Sequence, residues 1–272
     1  MLSKLIGYEF KATRRIFLPA FGVVLLLSLL NGIFIALPEG VMDHISAPFG
    51  IVMTVYVFAL FAVCVLSLAY MINRFYKNLL GDEGYLMFTL PARPSQLIWS
   101  KCIVSTVWMI LTTLLCCVSL FVLTVPVLLS GDFDFNWSMF WSQFHISWSA
   151  IVQRFGANLF TVPLEVIVLG ILWVMNFCLH IYACLSIGGL ANRHRLGWSF
   201  LAYLAFAVVT EIVLTFGAFC VSKILPDNLF ATWSGTAQMH LTLIGFILLT
   251  VICMAVNFLI TNYLLKKHLN LQ

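Results

Sequence analysis

Apolar residues in this chain fall into six unbroken runs, at 16–37, 49–72, 103–129, 158–187, 199–224 and 241–264, separated by short polar connections. Each is long enough to cross a hydrocarbon core, which takes about 20 residues at the helical rise. The runs are continuously apolar, without the alternation of a barrel strand, and an isolated span in lipid must satisfy its own backbone hydrogen bonds. The pattern therefore predicts an all-α membrane protein with six transmembrane helices.

Two further helices follow from periodicity. In residues 1–15, Leu2, Leu5, Ile6 and Phe10 recur at helical spacing, while Lys4, Lys11 and Arg15 share a polar face suited to anionic lipid. This predicts an interfacial helix leading into the first span. Between the third and fourth runs, Trp137, Phe140, Trp141, Phe144, Trp148, Ile151 and Phe155 fall on one side of a helical wheel, with Ser138, Ser142, His145 and Ser149 on the other. Asn136 is placed to cap that helix, and Asp132 and Asp134 suit the positive end of its dipole. Such an amphipathic aromatic helix fits an interfacial anchor or an external lid that meets substrate.

Composition agrees with a membrane domain. Of the 272 residues 62% are hydrophobic and only 9% charged, and the mean hydropathy is +1.06, more apolar surface than a soluble domain keeps from water. Charge sets the orientation, because Lys and Arg accumulate on the cytosolic side. Of fourteen such residues, Lys4, Lys11, Arg14, Arg15, Arg74, Lys77, Arg93, Lys101, Arg193, Arg195, Lys266 and Lys267 share one side, leaving Arg154 and Lys223 on the other. Both termini are expected in the cytosol, with the first run a retained signal anchor rather than a cleaved leader. Residues 1–272 read as a single transmembrane domain. No internal repeat is visible, although three spans per half would permit an inverted arrangement. All eight cysteines lie within or at the edge of the runs, so no disulfide framework is implied, and no metal-ligand spacing appears.

The connection between the second and third runs carries chemistry of a different kind. Gly81-Asp82-Glu83-Gly84 interrupts the helical extension of the second run, because two glycines three apart make continued helix costly. Tyr85, Leu86, Met87, Phe88, Thr89 and Leu90 then form a short apolar helix, with Asp82 or Glu83 at its start. Pro91 and Pro94 end it, and Ser95 can cap the helix of the third span. The exposed apolar side chains on such a turn need a cover of lipid or of another protein.

This stretch resembles the loop between the second and third membrane helices of ABC-2 type transporter permeases, where Gly-Asp-Glu-Gly-Tyr-Leu followed by Thr-Leu-Pro recurs among bacterial members. The resemblance covers the whole chain in layout and about residues 75–101 in detail. It implies a membrane subunit in the bacterial cytoplasmic membrane, pairing with a second permease as a homodimer or heterodimer and exporting an amphiphilic or peptide-like substrate. By the same resemblance residues 85–90 are a cytosolic coupling helix, seated with Asp82, Glu83 and Gly84 against a separate ABC ATPase subunit. ATP and Mg would be bound by that ATPase, and no cofactor by this chain. A second inner loop holding Arg193, His194 and Arg195 is a candidate for a smaller contact, or a solvated basic turn.

The chain has no Gly-x-x-x-x-Gly-Lys-Ser/Thr phosphate loop, no His-Glu-x-x-His and no Gly-x-Ser-x-Gly, so it offers no catalytic residues of its own. Its net charge of +4 belongs to the inner membrane face and not to nucleic acid. Polar groups inside the spans are the other candidates: Glu165, Asn176, His180, Glu211 and Asn257. A mid-membrane carboxylate is expensive, so each is expected to face the bundle interior as a polar clamp or part of a substrate path. The alternative function is an ion-coupled secondary transporter or channel that uses Glu211 or Glu165 and needs no ATPase.

Overall fold

The computed structural model describes residues 2–81, 84, 93–130, 136–191, 194–224 and 234–267, with the side chains of 39–40, 42–47, 157, 214, 217–224 and 267 left aside. Seven α-helices occupy these residues: α1 Leu2–Ile35, α2 Glu39–Phe75, α3 Pro94–Leu129, α4 Trp137–Phe155, α5 Thr161–Gly188, α6 Arg195–Ile224 and α7 Gly235–Lys267. No strand is present among the described residues. All but α4 are long and apolar enough to cross a membrane, so the chain has the build of a multi-pass membrane protein.

The expected helix ends are reproduced in part. Asn136 caps α4, its side-chain oxygen accepting the Met139 backbone N–H at 3.0 Å. Ser95 does not cap α3. That helix starts at Pro94, whose missing N–H costs nothing in a first turn, and Gln96 Oε1 reaches back to the Arg93 N–H at 3.4 Å. The N-terminal segment is helical and leads into the first span without a break, as one helix of 34 residues. Its apolar side meets protein: Ile6 and Phe10 pack against a cluster of Phe17, Val104 and Trp108. At Ile6 and Phe10 the stripe of residues 1–15 thus packs against protein, which produces the same spacing as a lipid-facing stripe.

The chain divides into two compact units, Met1–Asn73 with Ile103–His145, and Arg74–Cys102 with Ile146–Gln272. In the first, polar bonds tie all three long helices in pairs. Trp108 Nε1 donates to Thr13 Oγ1 at 2.7 Å, Tyr56 and Ser119 hydroxyls meet at 3.1 Å, Ser67 and Thr112 hydroxyls at 2.8 Å, and buried Asn31 donates to the Leu27 carbonyl at 2.8 Å and more weakly to Val52 at 3.4 Å. Hydrogen bonds of this kind hold helices together where lipid removes the hydrophobic drive. At Gly32 a β-carbon would lie 2.5 Å from the Leu123 carbonyl oxygen; only glycine permits α1 and α3 to approach so closely.

In the second unit α5 packs against both α6 and α7. Gly188 lets the α5 end lie directly on Ser199 of α6. The turn between these helices passes through His194 in the left-handed region, at φ 54°.

Candidate functional site

Two features of the second unit bear on the expected site residues: the roots of the connection between α2 and α3, and a groove on α5. The first root is a π-helical turn. After Phe75 the chain widens over Tyr76–Leu80, and the Gly81 N–H closes it on the Tyr76 carbonyl at 2.8 Å. Turns of this type commonly sit at functional positions in helices. Gly81 is extended, so the helix stops where the glycine pair predicts, and the Gly84 N–H returns to the Gly81 carbonyl at 2.9 Å. Phe75 and Leu79 of this root, and Leu97, Ile98 and Cys102 of the other, are essentially fully buried.

What buries them is α5 and α7. Phe75 stacks on Tyr182 with ring centroids 4.0 Å apart, Leu80 closes on Gly189, Trp99 meets Phe258 at 5.3 Å, and the Cys102 thiol donates to the Met175 carbonyl at 3.8 Å. The connection is therefore rooted in the core of the second unit. Its central residues Asp82, Glu83, Tyr85, Leu86, Met87, Phe88 and Leu90, the expected coupling helix, lie outside the described residues, as does Arg193.

The groove runs between α6 and α7 with α5 as its floor, and holds about 480 Å³. That lies within the range of about 300 to 1,000 Å³ usual for small-molecule sites. Apolar side chains such as Trp173, Val209, Val213, Leu249 and Ile252 form most of its wall. The polar floor is narrow. Asn257 Nδ2 donates to Asn176 Oδ1 at 3.1 Å, and His180 beside them lies edge-on to Tyr203 and Phe206, at 5.3 and 5.8 Å. Three of the five polar residues expected in the spans thus meet in one place.

The other two do not join them. Glu165 pairs with His240, whose Nδ1 lies 2.8 and 2.9 Å from the two carboxylate oxygens and links α5 to α7. Sequence reasoning missed His240 because it stands one residue before the last apolar run. The usable signal was that Glu165 and His240 both fall in the opening turns of runs that start on the same side. Glu211 corrects an expectation: it is exposed on α6, lines no part of the groove, and has no hydrogen-bond or ion-pair partner among the described residues. A long apolar helix can carry a lone carboxylate on its outer face where another chain or water meets it; the sequence cannot distinguish that from an inward position.

Near the α5–α6 turn a second hollow of about 460 Å³ is bordered by Ile187, Leu190, Trp198 and Leu201. His194 and Arg195 do not line it, but Arg195 Nε donates at 3.4 Å to the carbonyl of Ala191, which does. Comparison with protein-family profiles, curated proteins and solved structures returns no match.

Proposed function

We propose that this chain is the permease subunit of an ATP-driven transporter of the ABC-2 type. In this reading it lies in the bacterial cytoplasmic membrane with both termini inside, pairs with a second permease, and exports an amphiphilic or peptide-like substrate. A separate ATPase binds ATP and Mg and seats residues 85–90 as the coupling helix. The observation that carries the reading is the rooting of the connection between α2 and α3: Phe75, Leu79, Leu97, Ile98 and Cys102 at its two ends are fully buried in the helix group that also forms the groove. A loop used only as a turn needs no such anchorage, whereas a lever must be stiff where it enters the body it moves.

The hollow beside Arg195 supports a second, smaller contact from the same side, since Leu190 and Trp198 offer an exposed apolar edge there. In the same reading α4 lies at the outer surface, where its exposed Trp and Phe residues suit the headgroup level. The test is affinity capture of the tagged chain from its native membrane. An ATPase of the ABC class in the eluate, with transport that stops when ATP is removed, supports the reading; transport driven by an ion gradient without such a partner supports the secondary transporter instead.

A further inference from the structure

The groove between α6 and α7 has a chemistry that selects among ligands. None of the fourteen residues around it is Lys, Arg, Asp or Glu. A cationic or anionic head brought into it at mid-span would lose its hydration without gaining a counter-charge, a cost that membrane interiors make severe. A purely apolar ligand would also fit poorly, because the floor carries two carboxamides and an imidazole. The Asn176–Asn257 bond uses one donor and one acceptor, and a side-chain hydrogen bond between Asn257 and His180 takes up a further position. Each carboxamide has two N–H donors and an oxygen with two lone pairs, so the pair retains capacity for a polar guest. The rim is apolar and exposed on both sides, with Val209, Val213 and Ile252 well over a third accessible, which allows entry from the hydrocarbon by a ligand that keeps its chain in lipid.

We propose that this groove is a binding site for neutral amphiphiles: molecules with an uncharged hydrogen-bonding head, such as hydroxyl or amide groups, on one or two apolar chains. The head bonds to the Asn176, Asn257 and His180 floor while the chain lies along the Val and Ile walls. That the bound amphiphile is cargo rests on the permease reading; that the groove binds it does not.

The experiment uses the purified full chain in nanodiscs of phosphatidylcholine, with a photoreactive monoacylglycerol as probe and a fatty acid and a fatty amine of the same photoreactive chain as its charged counterparts. Crosslinks are mapped by peptide mass spectrometry. The monoacylglycerol is expected to label α5, α6 and α7 around the groove saturably, and about tenfold more than either charged probe. Ala207→Trp adds a bulky side chain at an exposed position on the groove wall, and should leave thermal stability unchanged while cutting this labelling about tenfold. The double change Asn176→Leu with Asn257→Leu removes both partners together, the substitution least damaging to folding, and should bring neutral and charged probes to similar labelling. Equal labelling by all three probes of the unmodified chain overturns the proposal, as does labelling undiminished by Ala207→Trp, or copy-to-copy crosslinks through the groove in place of lipid. If the groove labels as expected but no ATPase copurifies with the native protein, the site stands and its role as a cargo site falls.

Discussion

The rings of Phe75 and Tyr182 lie stacked, with centroids 4.0 Å apart and planes 9° from parallel, and neither is exposed to any degree. Phe75 is the last α-helical residue before the π-helical turn, and Tyr182 follows His180 of the groove floor by two positions on α5. One contact thus joins the root of the connection between α2 and α3 to the helix that floors the groove. Truncation by Phe75→Ala should cost about 3 to 5 kcal/mol through lost contacts and the space left behind. Phe75→Leu keeps most of the volume and should lose the stacking preference alone, about 0.5 to 1.5 kcal/mol. Thermal unfolding of the purified chain checks both; equal stability of the Ala variant and the parent would mean that the stack holds nothing.

The Glu165–His240 pair is a second cross-helix tie, between α5 and α7. Glu165→Leu strands the imidazole nitrogen and should destabilise by about 1 to 3 kcal/mol, whereas Glu165→Leu combined with His240→Leu should recover most of that loss. A double-mutant cycle in detergent measures the coupling. Additive losses would show the two side chains to be independent.

Glu211 has the opposite expectation. Exposed and without a partner among the described residues, it should tolerate Glu211→Leu in the isolated, detergent-solubilised chain within about 0.5 kcal/mol. Its effect should appear only in transport or in association between subunits. A melting temperature that drops in detergent as much as that of the Glu165 variant would place the carboxylate inside the fold.

Orientation is checked by cysteines introduced singly at Ser142 and Ser234 in a background lacking the native eight. Both should react with an impermeant thiol reagent on intact cells, and one at Asn192 should not, since positive charge is retained in the cytosol. Labelling at Asn192 from outside would reverse the topology.

The apolar runs were legible in the sequence because length and continuity of hydrophobicity are local properties, and α1, α2, α3, α5, α6 and α7 follow them closely. The α4 cap at Asn136 and the stop at Gly81 were equally local. Tertiary choices were not. The stripe of Ile6 and Phe10 has the same period whether protein or lipid covers it, and protein covers it here. The Asn176–Asn257 bond joins residues among the polar candidates, but their pairing depends on how α5 and α7 align, as does that of Glu165 with His240. The π-helical turn left no signature in spacing, because one widened turn shifts the helical phase by less than the pattern resolves.

The coupling assignment rests on Tyr85 and Phe88 acting as anchors in an ATPase groove, each worth about 2 kcal/mol or more at an interface. Glu83→Ala should act more gently, since a charge at a helix start is worth about 0.3 to 1 kcal/mol. The direct measurement is the amount of ATPase captured with the tagged chain, normalised to its abundance in the membrane, for the parent and for Tyr85→Ala combined with Phe88→Ala. The permease account predicts that the double variant reaches the membrane at normal level but loses its ATPase and its transport. A double variant that retains both the ATPase and full transport would contradict the account and leave the connection a surface turn.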